Sequence, residues 1–322
     1  MRYYSIIIRN QANNQIVHAL SSPSSDATYT SFVNGQTLPG ALNVELDLPI
    51  SVYALPAGTA LVRIWGVSLQ EISQASDLSG LTIEVYGGMQ RGLPLAKPQQ
   101  SGLLIQGTIF QAFGNWQGLN QTLDLILYPQ TGSPDTPINI VFNWKAGASF
   151  AQAIKSSLAT ALPGLSVNVS VSAALVLPND ETGFYRSLPE FAIYIKGLSQ
   201  TIVGGAYSGV DIVIRQSAVY VYDGTSPTTP LAISFEDLVG QPTWIGLNEM
   251  QFNCIMRADI GMGDYVKLPP SPVITTQSAF ANLRQKSSFQ GVFQIIYLRH
   301  VGNFRQPDGN SWITTYNALQ AI

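Results

Sequence analysis

Charge is what this sequence has least of. Its 322 residues include 16 Lys or Arg and 19 Asp or Glu, 11% in all, against about 25% in an average soluble protein. A free monomer normally keeps a charged surface, and charge depletion is instead a mark of the buried centres of interfaces. The scarcity therefore predicts a much-contacted surface. A net charge of −3 gives no basic footprint for gripping a nucleic-acid backbone, so no sequence-specific nucleic-acid binding is expected. Cysteine occurs once, at Cys254, and histidine twice, at His18 and His300. One cysteine excludes an internal disulfide framework and a Cys-rich zinc site. Cys254 lies in the alternating run Met250–Met256, which predicts a buried structural thiol. The start, Met1–Arg9, has only a short apolar stretch broken by Arg9 and lacks the pattern of a secretory signal. Synthesis in the cytoplasm is the expectation. No run approaches the 18 apolar residues of a membrane-spanning helix, so no transmembrane segment is predicted.

What is present is β-type sequence. The length exceeds what one hydrophobic core comfortably fills, which predicts two or three domains. Short runs bounded by Gly, Pro and Asn predict strands at 3–8, 41–48, 60–67, 81–86, 103–113 and 122–128. In Leu42–Leu48 apolar and polar residues alternate strictly, the signature of a strand buried on one face. One short helix is expected at 69–75. Thr131–Pro137, with a glycine and two prolines, reads as a linker. Beyond it, a strand at 138–144 precedes the clearest helix. Ser149 and Gln152 are spaced as a capping box, Phe150, Ile154 and Leu158 form one apolar stripe, and Pro163-Gly164 ends it. Strands at 166–171 and 191–195 complete a small α/β element. Gly204-Gly205 marks a second joint, followed by strands at 210–214, 219–222, 250–256, 265–268, 291–298 and 311–316. Pro269–Pro272 is a stiff connector. The fold expected is mainly β with an α+β insert: two β-barrels, at 1–132 and 205–322, flanking a small α/β domain at 133–204.

The two β parts echo each other. A strand beginning at Gly102 leads to Gly114-Asn115-Trp116 and then the strand 122–128. A strand beginning at Gly291 leads to Gly302-Asn303-Phe304 and then the strand 311–316. Each pair is preceded by two more strands, 61–65 with 80–86 and 250–256 with 263–268. Both read as strand, Gly-Asn-aromatic turn, loop, strand.

Chemistry finds little footing. A Ser-His-acid or Cys-His arrangement needs a histidine facing a nucleophile, and His300 has no Gly-x-Ser-x-Gly elbow to serve; a turn-stabilising or interface role suits it better. Asp259, Asp264 and Asp308 match no calcium loop, and no histidine or cysteine pair has metal-ligand spacing. The acidic pairs Asp180-Glu181 and Glu236-Asp237 are local, read as a solvated loop face and a first-turn helix charge, although paired carboxylates keep glycosidase chemistry in view. Trp65 and Trp144 lie in apolar strands and read as core, whereas Trp116, beside a loop, reads as exposed; with Trp244 and Trp312 these are the candidates for stacking on sugars. No catalytic, cofactor-binding or metal-ligating residue is assigned.

The C-terminal segment carries a resemblance. Trp244–Asn248, Phe252–Arg257 and Asp259–Val266, with an Arg-x-Asp-Ile-x-x-Gly-Asp turn between strands, resemble the baseplate hub proteins of contractile-tailed bacteriophages. Gly291–Phe293, Leu298–Gly302, Pro307–Gly309 and Trp312–Thr315 are similar to the closing barrel of that family, and the central strand and helix to its middle domain. The resemblance implies two tail-tube-like β-barrels, a homotrimeric ring in the virion baseplate, and contacts with the tail tube protein, the central spike protein, other baseplate proteins and the tape-measure protein. It implies no active site. A virion adhesin or carbohydrate-binding β-protein, motivated by the tryptophans and the polar uncharged surface, is the alternative.

Overall fold

The computed structural model describes the chain except residues 21, 23, 56–57, 91–96, 129–137, 206, 216–217, 226–228, 271–288, 290 and 322. The expected linker at 131–137 and the end of the connector at 271–272 lie outside the described residues. In chain order come β1 (Arg2–Arg9), β2 (Tyr29–Thr30), β3 (Phe32–Val33), β4 (Gln36–Thr37), β5 (Asn43–Ile50), β6 (Ala60–Trp65), α1 (Leu69–Ser73), β7 (Thr82–Met89), β8 (Gly102–Gln117) and β9 (Asn120–Tyr128). Then follow β10 (Ile140–Trp144), α2 (Phe150–Ala161), β11 (Ser166–Ser170), β12 (Glu181–Tyr185), α3 (Leu188–Val203), β13 (Asp211–Arg215) and β14 (Ala218–Tyr222). The last stretch holds β15 (Leu231–Ala232), β16 (Thr243–Trp244), β17 (Glu249–Ile255), β18 (Tyr265–Leu268), β19 (Gly291–Asn303) and β20 (Trp312–Gln320). The chain is mainly β, as its patterning predicts.

Two compact units emerge, and their boundaries differ from those read in the sequence. The larger comprises Met1–Ile50, Gly58–Ser133 and Leu231–Ile322; the smaller comprises Ser51–Ala57 and Pro134–Pro230. The segment from 205 to 230 therefore does not open a second β domain. β14 pairs in parallel with β11 and antiparallel with β13, and Ile212, Val219 and Val221 join the core built on α2 and α3. Gly204, at φ +71°, caps the end of α3, a left-handed position that glycine takes without strain. Residues 51–57 join the smaller unit because Tyr53 N–H donates to the Ile212 carbonyl at 3.0 Å.

The smaller unit corrects two local readings. Phe191–Ile195 is not a strand but part of α3. Ser187 caps that helix through Glu190 N–H, a proline follows within its first turn, and Leu188, Phe191, Ala192 and Ile195 are buried at helical spacing. A short apolar run does not by itself distinguish the two periods. Helix α2 does bury Phe150, Ile154 and Leu158, but the Ser149 side chain makes no cap bond. Gln152 instead donates to Ser156 at 3.0 Å, and Ser149 is held in a bridge to Val176. The complete capping box is on α1, between Ser68 and Glu71.

In the larger unit both β parts share one 13-stranded sheet, ordered β16-β17-β20-β19-β5-β6-β9-β8-β7-β1-β2, with β18 on β19 and β15 on β18. The echo is real in topology. Strands β6, β7, β8 and β9 lie in the order β6-β9-β8-β7, and β17, β18, β19 and β20 in the order β17-β20-β19-β18, all antiparallel. β8 has a bulge between Ile109 and Gln111 against β9, and β19 has one between Ile295 and Tyr297 against β20. Gly80 N–H donates to Ile109 O and Gly263 N–H to Ile295 O, each at 2.8 Å; both glycines have φ above +80°. The Gly-Asn-aromatic triplets, however, are not turns. Gly114 and Gly302 lie within strands because a Cβ there would meet Ile72 at 2.5 Å or the Trp312 ring at 2.7 Å, a close approach that marks strand glycines.

Alternation on β1, β5, β6 and β9 sends Tyr4, Ile6, Ile8, Val44, Leu46, Leu48, Val62, Ile64, Leu123 and Leu125 into one core. Each fully buried side chain of this kind contributes about 1.5–3 kcal/mol. The opposite face carries the polar residues.

Candidate assembly surfaces

That opposite face sets charged and amide side chains against each other across five strands. β8, β9, β6, β5 and β19 are consecutive neighbours, and Asp124, Arg63, Glu45 and Asn303 stand opposite one another along one row. Arg63 Nε donates to Asp124 Oδ1 at 2.5 Å and Nη2 to Oδ2 at 3.1 Å. Asn115 Nδ2 donates to Asp124 Oδ2 at 2.8 Å, and Asn303 Nδ2 to Glu45 Oε1 at 3.0 Å. The hydrogen bond to Asp124 raises the Arg63 guanidinium above its ordinary pKa. One turn of the pleat away, Arg299 gives Nε and Nη2 to Asp47, both at 2.6 Å. Glu45, Asp47, Leu61, Val301 and Asn303 line a groove of about 600 Å³ on this face. Each acid is matched to a base or an amide, so the surface is polar with little net charge.

A second network joins the two repeats. The Arg-x-Asp turn places Arg257 2% exposed, with Nε and Nη2 each 2.7 Å from the Asp259 carboxylate and Nη1 3.3 Å from Asp237. Lys97 Nζ reaches the same Asp237 at 2.9 Å. Burial alone would raise the Asp237 carboxyl, but Lys97 and Arg257 hold it below the usual carboxylate range. Ala258 N–H donates to Gln100 O at 2.8 Å. The local acidic pair Glu236-Asp237 does sit in the first turn of a short helix, as read from the sequence, and Asp237 is in addition a buried anchor for Lys97 and Arg257.

The third feature is apolar and exposed. Phe110, Phe113 and Trp116 on β8, with Leu119 at the following turn, stand out to solvent, as do Ile245 and Leu247 after β16. Trp116 is 63% exposed, as its place beside a loop predicts, and its Nε1 turns back to Gly118 O at 2.8 Å. Trp65 does not enter the core; it lies half-buried on the polar face near Arg63. Trp144 is half-buried with Nε1 on Ser157 at 3.1 Å, and Trp312 is buried with Nε1 on Gly88 O at 2.9 Å.

The remaining candidates are scattered. His300 is buried inside β19, not near a turn, with Nδ1 2.8 Å from Thr314 Oγ1, and burial pushes its pKa down to about 3. Cys254 is buried and its thiol pushed up to about 12 by burial. Asp180 is exposed and paired with Lys145 at 2.6 Å, while Glu181 accepts from Tyr194 at 2.5 Å. Asp264 caps the Gly261 amide at 2.8 Å and Asp308 turns its loop through Asn310 N–H at 2.9 Å. Among the described residues no three His, Cys, Asp or Glu side chains are grouped to hold a metal, and no helix is long and apolar enough to cross a membrane. The charge rows and the Arg257 network were not assigned from sequence. The signal of the charge rows is one or two charges in an otherwise apolar alternation: Glu45 and Asp47 on β5, Arg63 on β6, Asp124 on β9.

No family model matches the chain, and no curated protein matches it. Solved structures do. The 43 kDa tail protein of prophage MuSo2 from Shewanella oneidensis aligns with a TM-score of 0.54 at 7% identity, over 100% of this chain and 97% of that one. The Escherichia coli c3393 protein aligns with a TM-score of 0.50 at 10% identity, over 87% of this chain and 73% of that one. It is a component of the type VI secretion system with structural similarity to the T4 bacteriophage tail proteins gp27 and gp5. The fold is that of bacteriophage tail proteins, as the sequence resemblance implied.

Proposed function

We propose that this chain is a non-enzymatic hub subunit of a phage-type tail, three copies forming a ring that joins the tail tube to the central spike within the baseplate. The ring surrounds the channel occupied by the tape-measure protein and later by DNA. The duplicated four-strand motif carries this reading: with two similar motifs per chain, three chains offer six similar units to a hexameric tube, and the symmetry mismatch is absorbed inside one chain. The fold likeness to tail proteins and the scarcity of charge support it. The compensated polar face of β8, β9, β6, β5 and β19 suits a channel wall, since matched charges give a passing polyanion or peptide nothing to bind strongly.

Native mass measurement on the purified chain at high concentration tests the ring. A trimer is expected; a monomer or dimer at every concentration refutes it. The exposed indole of Trp116 favours a second reading, a carbohydrate-binding adhesin, which predicts glycan-array binding abolished by Trp116→Ala.

A further inference from the structure

We propose that the Asn34-Gly35 turn is a self-modifying site, at which the folded chain converts Asn34 through a succinimide into aspartate and isoaspartate. Three dipeptides in the chain place an Asn or Asp before glycine: Asn34-Gly35, Asp223-Gly224 and Asp308-Gly309. The fold treats them differently. Asn34 and Gly35 are the two central residues of the β3–β4 hairpin, whose flanking pair is Val33 with Gln36. Their φ values are +49° and +79°, the all-positive pattern of a type I′ turn. Both are exposed, and a Cβ on Gly35 would meet nothing within 4 Å, so nothing shields the Gly35 nitrogen. The Asn34 side chain has no hydrogen-bond partner among the described residues. The hairpin has only two residues per strand and forms a sheet of its own. It therefore opens locally at little cost, which lets the Gly35 nitrogen reach Asn34 Cγ.

The other two glycine pairs are held. Asp223 is 7% exposed, with Oδ2 accepting from Ser172 N–H and Tyr207 Oη–H, both at 2.8 Å, and Oδ1 from Thr225 N–H at 3.0 Å. Asp308 Oδ1 accepts from Asn310 N–H at 2.9 Å and its Oδ2 from the Gln306 amide. An ionised carboxylate is also a poor electrophile, since it has no neutral leaving group until it is protonated. The other left-handed asparagines, Asn14 and Asn139, precede Gln15 and Ile140, whose side chains crowd the attacking nitrogen. At Asn34 the reaction balances with water alone. The Gly35 nitrogen gives its proton to solvent base and bonds to Asn34 Cγ; the Cγ–Nδ2 bond breaks, and ammonia leaves with a proton. Water then opens the five-membered ring, at Cγ to give aspartate or at the main-chain carbonyl to give isoaspartate. Isoaspartate carries an extra methylene in the backbone, so Val33 no longer stands opposite Gln36. Either product adds one negative charge to a chain of net charge −3. Arg305 Nη2 holds Pro39 O at 2.8 Å, which confines the rearrangement to the hairpin.

Peptide mapping by mass spectrometry tests this on the full chain, incubated folded in heavy-oxygen water at mildly alkaline pH. The peptide holding Asn34 should split into aspartyl and isoaspartyl forms that carry the heavy oxygen. The isoaspartyl form should accept a methyl group from a protein isoaspartate methyltransferase, while Asp223 and Asp308 stay unchanged. An Asp308→Asn variant supplies a second Asn-Gly pair whose side chain still accepts from Asn310 N–H. Relative to the same variant in denaturant, folding should slow this new pair at least about tenfold more than it slows Asn34. An Asn34 that reacts in denaturant but stays intact in the folded chain overturns the proposal. So does a variant in which folding slows both pairs alike.

Discussion

Arg257→Met isolates the network between the repeats. The arginine is almost wholly buried, gives two 2.7 Å hydrogen bonds to Asp259 and one of 3.3 Å to Asp237, and Asp237 keeps only Lys97 as a cationic partner once it is gone. Methionine replaces much of the volume but none of the charge. Removing one partner of a buried ion pair costs about 3–5 kcal/mol. Asp259 is about a quarter exposed and regains water, so the lower end, about 3 kcal/mol, is expected. At about 2–4 °C per kcal/mol for a unit of this size, the larger unit's transition in differential scanning calorimetry should fall by about 6–12 °C. Arg257→Met/Asp237→Asn removes the stranded carboxylate and should recover part of that loss. The pH dependence follows from the depressed Asp237 carboxyl: its contribution is present above the ordinary carboxylate value and lost as pH falls through the folded value. Wild type should therefore lose stability more steeply below about pH 4 than Arg257→Met does. A single variant within about 1 kcal/mol of wild type, or a double variant no better than the single, would refute the reasoning.

Two further substitutions test separate parts of the fold. Ser68→Ala removes the α1 cap and should cost about 1 kcal/mol by denaturant unfolding, whereas Ser149→Ala, at the box that does not form, should cost almost nothing by the same mechanism; equal losses would contradict the capping geometry. His300 stays neutral in the fold to about pH 3, while its unfolded form protonates near 6.5. Stability should thus fall as pH drops through that window, by about 2 kcal/mol at pH 5, and His300→Asn should flatten the profile even if it lowers stability at neutral pH.

Strand positions were legible because alternation is local. Leu42–Leu48 and Leu123–Leu127 reveal their buried faces in seven and five residues. The repeat was legible in outline for the same reason. Pairing is not local: nothing near residue 47 announces residue 299, so a single sheet spanning both β parts could not be read. Helix and strand were confused at Phe191–Ile195, where the cap that decides, Ser187, lies outside the apolar run. The surfaces were hidden differently. Arg63 and Asp124 look like isolated interruptions until neighbouring strands bring them to 2.5 Å, and Asp237 looks like no more than a first-turn helix charge until Arg257 arrives from twenty residues away.

The pairing of β5 with β19 also sets a clock on synthesis. Asp47 and its partner Arg299 are 252 residues apart, and at about 5–20 residues per second a ribosome takes roughly 13–50 s to cover that distance. Throughout that interval β5 can pair with β6 while its other side waits unclaimed. A nascent chain on the same message offers the missing β19 just as well, so exchange between neighbours on a polysome competes with correct closure. Slow translation or crowded messages should yield tangled oligomers, and a chaperone that shields β5 until residue 303 has emerged should suppress them.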